Sequence, residues 1–177
     1  MKNLLKLLLL LVLAVYLGLA VTVFNNPEVR QKCAAVDVIV KDSDVAGFIT
    51  PLEIRTILKD SKLYPVGQKM SNINCAEIEK VLARNPFIDN ITSYKTAGDH
   101  VYVTVTQRLP VMRIISDNGD NYYIDTRGKV MPHMHYSADL VVATGHISKQ
   151  YAHSKLLPIG RLLKYDKFWD NQIEQIN

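Results

Sequence analysis

Few residues in this chain combine type and spacing in a way that could do chemistry. His133 and His135, in His-Met-His, would share one face of a strand as two metal ligands do. A zinc site needs three or four protein ligands, and His146 and His153 do not fall at ligand spacing from the pair, so surface histidines are the simpler reading. Asp117-Asn118-Gly119-Asp120-Asn121 looks like a fragment of a calcium loop, yet the twelve-residue frame and its closing Glu are missing, which leaves a turn. Tyr122 and Tyr123 could form a ligand platform, but alternation along a strand turns one ring inward and the other outward. No nucleophile elbow, phosphate loop or dinucleotide fingerprint is present. Catalysis therefore has no visible carrier, and the chain reads as a non-enzyme without metal or cofactor.

Polarity divides the chain sharply. The 18 residues from Leu7 to Phe24 carry no charge. As a helix they would be about 27 Å long, close to the roughly 30 Å core of a bilayer. A cleaved signal peptide is the competing reading, with Gly18-Leu19-Ala20 as a small-x-small site. The apolar run continues past that site through Val21, Val23 and Phe24, longer than the roughly 7 to 15 residues of a signal core. The expectation is an uncleaved span over 7–24, with residues 1–6 and their two lysines on the cytoplasmic side. Of the net charge of +4, Lys2 and Lys6 supply two and no acid precedes Asn25, so residues 25–177 carry +2. That charge is dispersed among acids, which argues against a nucleic-acid partner.

The elements beyond the span read in order. Val36 to Val40 is a β-branched strand. Thr50-Pro51-Leu52-Glu53 is a capping box with proline at the first helical position, and Ile54, Ile57 and Leu58 form the apolar stripe behind it. Asn74-Cys75-Ala76-Glu77 repeats the cap, with Cys75, Ile78, Val81 and Leu82 at helical spacing before Pro86. Phe87 to Lys95 and Val101 to Gln107 are strands joined by a hairpin-length loop, and Val101, Val103 and Val105 should face the two helices. After Pro110 the pattern turns to short strands at Val111–Ile115, Tyr122–Ile124, Val130–Pro132 and the 139–144 run, then to spaced apolar residues from Tyr151 to Ile176 that suit one more helix. Arg108-Leu109-Pro110 is thus a junction between two domains.

This order resembles the FtsQ/DivIB family of bacterial cell-division proteins. The residues that carry the resemblance are Asn85-Pro86-Phe87-Ile88, the Val101 to Pro110 strand with its basic-x-proline ending, Tyr122-Tyr123-Ile124-Asp125 with Gly128, and Val130-Met131-Pro132. The resemblance implies an α+β protein with a single transmembrane helix at 7–24 and a linker at 25–33. A POTRA domain (β-α-α-β-β) at 34–107 and a β-rich domain at 108–177 would follow. Relatives usually continue with further strands that hold the edge for the small division proteins FtsB and FtsL, so that domain is expected to be incomplete at its C-terminus. Relatives also carry Glu-Arg-x-Pro where this chain has Gln107-Arg108-Leu109-Pro110.

In function, the resemblance implies a single-pass inner-membrane scaffold, its bulk periplasmic and concentrated at the division septum. It would recruit and connect FtsB/FtsL-like proteins and septal peptidoglycan synthesis proteins, with no small-molecule substrate. A POTRA-bearing part of outer-membrane protein insertion or secretion is the alternative, though such chains usually carry tandem POTRA units or a barrel. A secreted hydrolase processed after Ala20 is a third reading, and it lacks a nucleophile and base.

Two local expectations follow. With Val101 to Gln107 in the centre of the first sheet, the Ile88 to Lys95 strand is an edge whose unpaired backbone could take a partner strand, through Ile88, Asn90, Thr92, Ser93 and Lys95. Cys33 and Cys75, the two cysteines, would lie at the same end of that domain. They could form a disulfide in an oxidising compartment, or Cys75 could simply pack in the helix face.

Overall fold

The structure, a computed structural model, describes residues 2–24, 31–133 and 140–177, and within its first helix only the side chains of residues 6–20. That helix, α1 (Lys2–Phe24), runs unbroken for 23 residues. Its large apolar side chains from Leu7 to Leu19 are all more than half exposed, so they point outward on every side. Among the described residues no helix is long and apolar enough to cross a membrane.

The first folded unit holds β1 (Ala35–Val40), α2 (Pro51–Asp60), α3 (Cys75–Leu82), β2 (Ile88–Lys95) and β3 (His100–Gln107). β3 lies between the other two strands, parallel to β1 and antiparallel to β2, as its alternating valines require. Val101, Val103 and Val105 are wholly buried in one cluster with Ile54 and Leu58 of α2 and Ile78 and Leu82 of α3. A two-residue repeat on the strand thus meets i, i+4 stripes on two helices. Each helix starts where its cap dictates: Thr50 accepts from the Glu53 N–H while the Glu53 carboxylate returns to the Thr50 N–H, and the Asn74 side chain accepts from the Glu77 N–H. The other face of the sheet is open and polar, with Tyr94 stacked on Tyr102 and His100 bonded to Asp37.

The second unit is a five-stranded sheet of β4 (Pro110–Ser116), β5 (Asn121–Asp125), β6 (Val130–Pro132), β7 (Val142–Gly145) and β8 (Gln175–Ile176), in the order β6-β5-β4-β7-β8. The calcium-like stretch is the turn of the β4–β5 hairpin: Gly119 sits at φ 91°, and Asn118 Oδ1 accepts the Asp120 N–H. Both neighbouring tyrosines are buried, contrary to the expected one-in, one-out pair. Tyr122 joins the core under the C-terminal helices, while Tyr123 packs with Phe48 and Phe87 of the first unit, because the sheet face that would have met water is covered by the other domain.

The last segment also departs from the expected single helix. Lys149 to Tyr165 is helical throughout, as α4 (Lys149–Tyr151), a π-helical stretch (Ala152–Leu156) and α5 (Leu157–Tyr165), followed by a short α6 (Lys167–Asp170). The Ile173–Ile176 stretch is not helix. Asp166 leaves helical geometry and its carboxylate caps α6, after which the Glu174 carbonyl takes the Val142 N–H and β8 pairs in parallel with β7. Pro158 follows directly on the π-helical stretch inside this continuous run, so the bond its missing N–H cannot make falls where the backbone has already left the regular α pattern. At Gly160 a Cβ would stand 3.3 Å from Val111 Cγ2 and 3.4 Å from Met112 Cβ, so the bare glycine lets α5 lie directly on β4. Gly160→Val should therefore overpack this contact and lower stability by about 1–3 kcal/mol, read as a lower urea midpoint with an unchanged slope.

Candidate functional site

β3 ends at Gln107 and β4 begins at Pro110, so two residues separate the sheets. Gln107 is 2% exposed. Its Nε2 donates to the carbonyls of Asp42 (2.8 Å) and Ala46 (2.6 Å), and its Oε1 accepts the Ile49 N–H (3.1 Å). This side chain therefore holds the 42–49 loop against the end of β3. The loop presents Phe48, which stacks on Phe87 with centroids 5.8 Å apart and meets Tyr123 edge-on. A carboxylate at 107 would have no donor for two facing carbonyls, so the amide in place of the acid expected from the resemblance is a donor requirement of this loop.

Arg108 reaches into both domains from one guanidinium. Nε donates to the Pro86 carbonyl (2.9 Å), Nη2 to the Ile88 carbonyl (2.8 Å), and Nη1 to Asp125 Oδ2 (2.6 Å). Asp125 is itself buried, and its Oδ1 accepts the N–H groups of Arg127 and Lys129 at 2.8 Å each. Asp89 adds a salt bridge to Arg127 across the same junction. Below these charges an apolar cluster crosses the boundary, with Ala46, Phe48 and Phe87 from one side and Tyr123 and Met131 from the other. Pro110 opens β4 opposite Asp125, at the strand start where a residue without an N–H is tolerated.

The β2 edge lies beside this junction. Val105 uses its carbonyl toward the β1 side, and the Thr96 N–H bonds His100 across the hairpin. By antiparallel alternation, Asn90, Thr92 and Tyr94 then bond β3, and Ile91, Ser93 and Lys95 turn their backbone groups outward. At the middle of that outward row the Ser93 N–H donates to Glu79 Oε1 at 2.6 Å, and Ser93 Oγ lies 3.0 Å from the Cys75 carbonyl. A carboxylate from α3 thus stands where the carbonyl of an added strand would be. The five expected contact residues are placed differently from one another. Ile88 is buried with its carbonyl held by Arg108, Asn90 and Thr92 are exposed, Ser93 is capped, and Lys95 lies opposite Val101. Beside them a groove of about 410 Å³ runs between α3 and β2, with small Ala76 and Ala83 on one wall and Lys80, Asp89, Asn90 and Lys129 around it.

Residues 31–106 match the POTRA-like domain, and residues 109–177 match the FtsQ/DivIB, C-terminal related domain. Two matches in that order support the FtsQ/DivIB family. This is an FtsQ/DivIB-related chain. No curated protein gives a significant match. The unmatched pair between the two segments is Gln107 and Arg108, the residues that join the POTRA-like sheet to the second one.

In this FtsQ/DivIB-related chain the cysteines are free thiols rather than a disulfide. Cys33 leads into β1 and gives its thiol proton to the Ala35 carbonyl, while Cys75 sits over Ser93 of β2, and β3 runs between those strands. Burial pushes the Cys33 thiol above its ordinary pKa, which keeps it protonated. His133 stacks on Tyr123, His135 lies outside the described residues, and among the described residues no group of three or more His, Cys, Asp or Glu could hold a metal. Sequence reasoning missed Glu79, Asp89 and Asp125. Asp125 had one signal, the Asp-x-x-Gly turn whose backbone N–H groups it collects.

Two substitutions test the junction. Gln107→Glu should cost about 1–3 kcal/mol by facing a carboxylate to two carbonyls, measured by urea unfolding of the full chain. Arg108→Ala should cost about 3–5 kcal/mol because it strands the buried Asp125, and Arg108→Lys should recover only part, since one ammonium cannot span three separated acceptors. A loss under about 1 kcal/mol for the alanine variant would show that other contacts hold the domains.

Proposed function

We propose that this chain is a membrane-anchored cell-division scaffold, with no catalytic role, that recruits other divisome proteins through its POTRA-like and β-rich domains. The observation that carries the reading is the tandem of a POTRA-like domain and an FtsQ/DivIB C-terminal related domain in one chain. Residues 7–24 of α1 are the anchor. Their apolar side chains surround the helix with nothing from the folded body covering those described, an arrangement that water disfavours and a bilayer accepts. Lys2 and Lys6 favour a cytoplasmic N-terminus, which leaves the bulk periplasmic, and the family resemblance supports a position at the septum. FtsB/FtsL-like proteins and septal peptidoglycan synthesis proteins are the partners this reading names.

The β2 edge and its groove are the proposed docking site on the POTRA-like domain. An extended segment would add beside β2 by displacing Glu79 from the Ser93 N–H, with Asn90 and Thr92 beside the added strand. Photo-crosslinkers at Lys80 and Asn90, in living cells, should capture division proteins, and Glu79→Ala should raise the yield. Capture from Ile39 on the opposite edge strand, with none from Lys80 or Asn90, would move the docking site off β2. Capture of insertion or secretion machinery in place of division proteins would overturn the function itself.

A further inference from the structure

α5 buries Leu157, Gly160 and Leu163 toward β4, as an amphipathic helix should, but its outward side and that of α6 are not polar. Leu162 is 60%, Tyr165 75%, Phe168 64% and Trp169 44% exposed, the first two on α5 and the last two on α6, either side of the break at Asp166. Arg161, Lys164 and Lys167 stand exposed among them. From Lys149 to Asp170 there are five Lys or Arg against two Asp, a net +3, whereas residues 25–177 as a whole carry +2. The rest of that region is therefore net −1; α5 and α6 themselves hold Arg161, Lys164 and Lys167 against Asp166 and Asp170, a net +1, and Lys149 and Lys155 of the preceding turns supply the other two charges. Large apolar and aromatic rings interleaved with cations on an outward helix face suit the boundary of an anionic bilayer, where rings enter the headgroup layer and cations meet phosphate.

The chain's own geometry names that occupant. Residues 25–30 alone separate α1 from Gln31, whose carbonyl accepts the Met70 N–H and so belongs to the folded body. Six extended residues cover about 20 Å, so an anchored α1 holds the body next to a lipid surface. We infer that the α5–α6 face rests on anionic phospholipid headgroups, an inference that depends on α1 being the anchor. The chain enters the POTRA-like sheet beside Asp99, at the end of β3 opposite to the junction, whereas α5 lies on β4 beyond the junction. Contact therefore requires the two domains to lie along the bilayer instead of standing away from it.

Trp169 is the single tryptophan of the chain, so its emission reports on this face alone. The full chain is reconstituted into vesicles of phosphatidylcholine, with or without phosphatidylglycerol. Flotation after an alkaline wash reads the anchor, and Trp169 emission reads the face. The expected result is flotation with both lipids, and with phosphatidylglycerol a blue shift and quenching by brominated lipid. High salt or Lys164→Glu with Lys167→Glu should reverse both. Flotation with Trp169 emission identical in the two lipids, or a response that survives the paired substitution, overturns the face contact and leaves the anchor standing. Failure to float with either lipid removes both.

Discussion

A guanidinium buried between two sheets has no water to fall back on, so its N–H groups must find oxygens in the protein. At Arg108 those oxygens are two backbone carbonyls of the strand–helix unit before it and a carboxylate of the sheet after it. The consequence reaches well beyond one ion pair. Arg108 and two backbone N–H groups converge on the buried Asp125 carboxylate, and those N–H groups shape the β5–β6 turn. Removing any one member leaves the others desolvated and unpaired, which is why a junction of two residues can fix the relation of two domains.

Gln107 and Arg108, adjacent in sequence, divide that work. Strand alternation sends their side chains to opposite sides, one to the 42–49 loop and one beneath β2. The loop so held supplies Phe48, and Phe48 with Phe87 covers Tyr123 of the second sheet. Polar groups here set position, and the aromatic cluster supplies the buried apolar area that makes the position favourable. An amide and a guanidinium suit the task because both can donate to carbonyls at a strand end, where backbone oxygens have run out of ladder partners.

The surfaces left over differ in how they meet the solvent. The β2 edge is shielded by one carboxylate from its own domain, a reversible cover of the kind that keeps an exposed strand from pairing indiscriminately. Among the described residues nothing covers the α5–α6 face, which exposes aromatic rings beside cations. Along the same chain, then, one exposed surface is guarded and another is open. Both lie on units that the junction holds together, so a partner on one and a lipid surface under the other would act on a single body.

What the sequence determined alone was local. Thr50 and Asn74 cap their helices whatever surrounds them, Gly119 permits its turn, and a valine at every second position of β3 can only mean one buried face. The central place of β3 was also legible, since the strand–helix–helix–strand–strand order leaves few ways to bury those valines. Tertiary structure decided everything that depends on what comes from far along the chain. One ring of the Tyr122–Tyr123 pair was expected at the surface, because nothing near Tyr123 says that Phe48 will cover it. Ile173–Ile176 had helical spacing, yet β7 offered an unpaired edge, and backbone pairing outweighed the weak preference of a short segment. The Ser93 edge looked open because Glu79 is an ordinary helical acid until α3 packs beside β2. Hydrogen-bond partners across a fold leave no periodic trace in sequence, since each depends on where two separate elements come to rest.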